Sequence, residues 1–155
     1  GTVPMSAVAV RRDIQEAIVA AAEGDRPELF HGYTYSAHPV ACAAAHATLD
    51  IYEGEGLFER AANFSPTFLE ALFGLRNLPQ VTDLRGYGMM GGIQLKPGAA
   101  PGEKGSLVQR LLFREGLHVK ATGDALIFAP PLVTGEADLA AMIDILRRVL
   151  GRADI

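Results

Sequence analysis

Cysteine is nearly absent. Cys42 stands alone in 155 residues, so no disulfide can close within one copy of the chain, and a reducing compartment, the cytoplasm, is the expected location. Excess positive charge is also lacking. With a formal net charge of -4 the chain has no surplus of cations to neutralise a run of phosphates, which excludes nucleic acid as an expected partner. Long apolar runs are missing too: the longest, Val40 to Leu49, is broken by His46 and falls far short of the roughly 20 residues that cross a bilayer. No membrane partner is expected, and nothing near Gly1 has the charged and apolar pattern of a secretion signal. Low complexity is absent as well. Hydrophobic residues make up 49% and charged residues 21%, a balance that can bury an apolar core.

What is present divides into periodic segments. The opening PMSAVAV reads as a buried strand that begins within a few residues of the terminus, so the chain is expected to be truncated. From Arg11 to about Glu23, Ile14 and Ile18 recur on one face of an amphipathic helix that Gly24 stops. The stretch GDRPELFHGYTYSAHP then forms a long loop, and loops of that length inside compact domains tend to be functional. Pro39 opens a helix that Ser36 or His38 could cap, running to about Glu53 with a small face of Ala41, Ala44, Ala45 and Thr48. A second helix is expected from Leu57 to Leu75. It has apolar positions at Phe58, Phe68, Leu69, Leu72 and Phe73 and a kink or restart at Ser65-Pro66, and it forms a hairpin with the first across Gly54 and Gly56.

After Pro79 the period changes. QVTDLRGYG and MMGGIQLKP alternate as two strands around a glycine-rich turn at Gly86 and Gly88. Ser106 and Gln109 have the spacing of a capping box for a short helix that reaches Glu115 and ends at Gly116. LHVKA and ALIFAP are two further strands joined at Thr122-Gly123-Asp124, and Thr134 is placed to cap a last helix with Leu139, Ile143, Leu146 and Leu150 on its inner stripe. The order strand, strand, helix, strand, strand, helix makes the fold class α/β to α+β, with a largely antiparallel sheet covered by helices on one face.

Several chemical readings of these residues fail. His38, Cys42 and His46 fall four apart on a helix, but no fourth ligand is spaced nearby to close a zinc site. No glycine elbow surrounds any serine, and the glycines of RGYGMMGG lie between strands instead of ahead of a helix, which disfavours nucleophilic-serine and dinucleotide chemistry.

One string is specific. HGYTYSAHPVACAAA, His31 to Ala45, resembles the segment of class III pyridoxal-phosphate-dependent aminotransferases in which glycine, an aromatic residue, threonine and a His-Pro pair precede an alanine-rich helix. PMSAVAV resembles the stretch after that family's cofactor-bonding lysine, RGYGMMGGIQL its Arg-Gly-x-Gly strand turn, and TGDALIFAPPL its substrate-proximal hairpin, all in family order. The likeness is strongest to the omega-amino acid:pyruvate group. It implies the C-terminal portion of a type I fold, with residues 1-55 ending the large cofactor-binding domain and its connecting helix and residues 56-155 forming the small domain.

The resemblance implies roles for three residues. Thr34, with the backbone N–H groups of Tyr33 and Thr34, would hydrogen-bond the phosphate of pyridoxal 5'-phosphate held by the second subunit of a homodimer or tetramer. Lys120 stands where pyruvate-using members carry an arginine that holds the substrate carboxylate; it keeps the charge and loses the planar bidentate fork. As a residue alone, a lysine at a strand end is simply solvated. The implied substrates are an amine or omega-amino acid and a keto acid such as pyruvate. Ornithine, acetylornithine and GABA aminotransferases and glutamate-semialdehyde aminomutases share the fold, and a non-catalytic dimer-contact domain is the reading of another class. The Schiff-base lysine is implied to lie upstream of Gly1, since Lys96 and Lys104 sit in a loop and Lys120 matches a different role. Mixed with pyridoxal phosphate, the isolated 155 residues are expected to give neither the absorbance of a lysine adduct nor transamination; a clear adduct at any lysine would contradict this.

Overall fold

A computed structural model describes residues 3–24, 29 and 34–154, and the chain divides into two compact units, Gly1–Gly54 and Glu55–Ile155. The first unit holds α1 (Arg12–Ala20) and α2 (Pro39–Gly54). Helix α1 is shorter than its periodicity suggests and buries no residue, although Gly24 does take a left-handed φ of +62°. The expected opening strand is not formed. Residues 4–10 are exposed and unpaired in any sheet, with Val8 86% accessible, because a strand needs a neighbour to take its N–H and C=O groups and the unit has no strand among its described residues.

The second unit runs α3 (Leu57–Phe73), β1 (Val81–Tyr87), β2 (Met90–Leu95), α4 (Glu103–Arg114), β3 (Lys120–Thr122), β4 (Ala125–Phe128) and α5 (Glu136–Leu150). The strands form one antiparallel sheet in the order β1-β2-β4-β3, as the alternating pattern implies. Strict alternation would put Val81 and Leu84 on opposite faces. A bulge between Val81 and Asp83 absorbs one residue at Thr82, so that both side chains point into the core. The core lies on one side of the sheet, where Leu84, Ile93, Leu126 and Phe128 meet Phe68 and Leu72 of α3, Val108 and Leu112 of α4, and Ile143, Leu146 and Leu150 of α5. Phe68 stacks on Phe128 with ring centroids 5.4 Å apart.

Local chemistry differs from expectation at four places. Helix α3 runs through Pro66 without a restart, with Ser65 Oγ donating to the Gly88 carbonyl at 3.1 Å, and Phe58 is exposed instead of buried. Gly86 is not a turn residue: the turn is Gly88-Met89, and Gly86 pairs with Gly91 inside the hairpin. A β-carbon on Gly86 would stand 2.5 Å from Leu69 Cδ2, and one on Gly91 2.7 Å from Leu72 Cδ2, so the two glycines let α3 lie close against the sheet. Helix α4 starts three residues before Ser106, because Asp124 satisfies its first amides from outside. Gly135, not Thr134, occupies the N-cap of α5, and Asp138 Oδ2 accepts the Gly135 N–H at 3.2 Å. Gly91→Ala is expected to destabilise the second unit by about 1–3 kcal/mol through overpacking against Leu72, read as a lower denaturation midpoint.

Candidate functional site

Two local arrangements carry the residues singled out in the sequence, one in each unit. In the first, residues 34–37 form a turn that delivers the chain into α2. Thr34 and Tyr35 are exposed there, and Tyr33 lies outside the described residues. Ala37 closes the turn in the left-handed region at φ +57°, a conformation that brings its Cβ against its own backbone. Pro39 then takes the first helical position, where a missing N–H costs nothing, and the His38 carbonyl accepts the Cys42 N–H at 2.9 Å. Ala41 is buried and Cys42 half-buried, so the small face of α2 comes up against neighbouring chain.

The turn borders a cleft of about 520 Å³ lined by residues 3–6 and 35–38 with Ala41 and Cys42. Its polar groups include the hydroxyls of Ser6 and Ser36 and the His38 imidazole. Hydroxyl donors beside an open space, next in sequence to the exposed Thr34, suit an anionic oxygen that must be held without a covalent bond. The same lining carries two rings, the His38 imidazole and the exposed Tyr35 phenol. The hydroxyl donors fit the phosphate end of a phosphorylated ligand.

The second arrangement is the open face of the sheet. All three helices of the second unit pack on the other face, leaving Arg85, Ile127 and Lys120 accessible in one cross-strand row with Gly92 between Arg85 and Ile127. Arg85 Nε lies 3.3 Å from Asp83 Oδ2, whereas no carboxylate pairs with Lys120 among the described residues. The Lys120 ammonium is thus an exposed cation above a floor of Ile127 and Gly92, suited to an acidic group brought to that face. None of the chain's lysines is buried: Lys96 and Lys120 are exposed and Lys104 is half-exposed.

The sequence singles out Thr34 and Lys120 as candidates but gives little sign of what fixes their surroundings. The left-handed Ala37 has no compositional signal, since alanine is as common in the helix that follows. Gln109, whose side chain reaches the Lys120 hairpin, and Asp124, whose side chain reaches from that hairpin to α4, were visible only as a helix-start pattern and a turn residue.

The family model described as class-III aminotransferase matches residues 1–150. An omega-aminotransferase of Caulobacter vibrioides is 42% identical over 98% of this chain and 35% of its own length. An omega-amino acid--pyruvate aminotransferase of Pseudomonas putida is 36% identical over 98% of this chain and 34% of its own length. The crystal structure of an omega transaminase from Pseudomonas jessenii in complex with PMP is 32% identical and covers 79% of this chain and 28% of its own, with a TM-score of 0.71. The chain thus spans about a third of the length of the curated relatives it matches. Replacing Ala37 by glycine is expected to stabilise the first unit by about 1 kcal/mol, because glycine takes a left-handed φ without the β-carbon clash; slower amide exchange at the start of α2 would register the gain.

Proposed function

Because the chain belongs to the class III aminotransferases, we propose that it forms the C-terminal part of a pyridoxal-phosphate-dependent enzyme that moves an amino group from an amine or omega-amino acid to a keto acid such as pyruvate. Residues 1-55 end the large cofactor-binding domain and residues 56-155 make the small one. The observation that carries the reading is the turn at residues 34–37: an exposed Thr34 directly precedes Tyr35 and Ser36 of the cleft lining, immediately ahead of a helix whose small face admits close neighbours, in a chain that matches the family over nearly its whole length.

In this reading Thr34 Oγ1 and the Tyr33 and Thr34 amides donate hydrogen bonds to the cofactor phosphate of a second copy of the protein. The bound cofactor supplies an electron sink for charge developing at the substrate carbon. Lys120 holds the carboxylate of the keto acid with a single point charge, which gives weaker orientation than a bidentate arginine would. PMP in the Pseudomonas jessenii transaminase structure is the aminated form of the proposed cofactor. The exposure of Lys96 and Lys120 and the half-exposure of Lys104 support a covalent lysine outside these residues, so that the 155 residues alone are inactive. The single cysteine supports a cytoplasmic location.

In the full-length protein, Thr34→Ala is expected to weaken pyridoxal phosphate about tenfold or more, the cost of one hydrogen bond to a charged group, while Thr34→Ser retains most of the affinity. Equilibrium binding followed by cofactor fluorescence measures both. Unchanged affinity in Thr34→Ala would remove the residue from the phosphate site. Turnover with pyruvate and β-alanine, taurine or a simple arylalkylamine tests the substrate class, and inactivity with all three would count against the pyruvate group.

A further inference from the structure

Lys120 sits on the weakest piece of the sheet. Strand β3 has three residues, lies at the edge and pairs with β4 alone, so backbone pairing does little to fix a side chain that projects from it. Helix α4 reaches it at both ends. On the near side, Gln109 Nε2 donates to the Val119 carbonyl at 2.9 Å, the peptide whose N–H belongs to Lys120. On the far side, Asp124 in the β3–β4 turn accepts the Gly105 N–H at 3.1 Å through Oδ1 and the Gly102 N–H at 3.3 Å through Oδ2.

The Asp124 carbonyl also takes the Leu95 N–H at 2.8 Å and Gln94 Nε2 at 3.0 Å, which ties the same turn to β2. The contact between α4 and the turn is close enough that a β-carbon on Gly105 would overlap the Gly123 carbonyl oxygen. Gly123 itself needs its left-handed φ of +56° to make the two-residue turn. Val119 is buried at 4% accessibility, so the carbonyl that Gln109 holds is anchored in the core, one residue before the chain emerges at Lys120.

We infer that Gln109 and Asp124 are positioning residues that act through Lys120 to set where a keto-acid carboxylate is held. The inference rests on the carboxylate role given to Lys120 above. Its signature is selectivity: a substrate with a carboxylate should feel the loss of a tether, and an amine without one should not. Gln109 gives the cleaner variant, because Met has the same reach, lacks the donor and sits at a half-exposed helical position, whereas Asp124→Ala removes the N-terminal cap of α4 and risks the fold.

The experiment measures steady-state kinetics of the full-length holoenzyme for pyruvate and for a carboxylate-free arylalkylamine, together with inhibition by a non-reacting monocarboxylate, in Gln109→Met, Lys120→Ala and the double variant. Gln109→Met is expected to raise KM for pyruvate and the inhibition constant of the monocarboxylate about fivefold or more, with KM for the amine within about twofold. In the Lys120→Ala background the same change should add nothing, since the group being positioned is gone. A silent Gln109→Met beside an effective Lys120→Ala would overturn the positioning role alone, as would equal rises for both substrates or multiplying effects in the double variant. An unchanged pyruvate KM in Lys120→Ala would overturn the carboxylate role of Lys120 and this inference with it.

Discussion

The carboxylate of Asp124 meets the start of α4 where no side chain of the helix itself caps it. Two amides at that end would otherwise lack partners in a half-buried site, and each orphaned buried donor costs about 1–3 kcal/mol. Satisfying them from the β3–β4 turn joins a helix, a hairpin and, through the Asp124 carbonyl, the neighbouring strand β2. The joint is possible only because Gly105 presents no β-carbon to the Gly123 carbonyl, while Gly123 supplies the left-handed φ of the turn. Remove that closeness and edge strand β3 would be held by three residues of pairing with β4.

Close approach by small residues recurs at the β1–β2 end of the sheet, where Gly86 and Gly91 face Leu69 and Leu72 of α3. In both places the helix layer is drawn tightly onto one face, and the consequence for chemistry is that the opposite face stays bare. Arg85 and Lys120 emerge there over Gly92 and Ile127, and Arg85 is already committed to Asp83. The free cation on that face is therefore a by-product of how the helices pack, positioned by backbone contacts several residues away from it.

Much of the second unit was legible in the sequence, because period-two and period-3.6 patterns report which face of an element is buried. The order of two strands, helix, two strands and helix follows from that alone, as does the inner stripe of Leu139, Ile143, Leu146 and Leu150. Several misreadings share a cause: residues whose partners are distant in sequence. Ser106 and Gln109 have the spacing of a capping box, but Asp124 supplies the cap and Gln109 turns to Val119. Gly86 reads as a turn glycine, though it is demanded by Leu69 across the layer. PMSAVAV has the composition of a strand and stays unpaired, because pairing is a property of the neighbour as much as of the segment. The candidate site was legible through one unusual string, and only as a resemblance: periodicity says nothing about why a threonine, an alanine with left-handed φ and a His-Pro pair should occur together.

The turn that ends at Ala37 carries the exposed side chains of Thr34, Tyr35 and Ser36 on a backbone that becomes left-handed directly ahead of α2, and its proposed role is to hold the cofactor phosphate of a second copy. A crystal structure of the full-length protein with pyridoxal phosphate tests this most directly. A phosphate oxygen of the cofactor held by the partner subunit is expected within about 3 Å of Thr34 Oγ1. A cofactor whose phosphate is held entirely by residues of its own subunit, with Thr34 away from any subunit boundary, would contradict it.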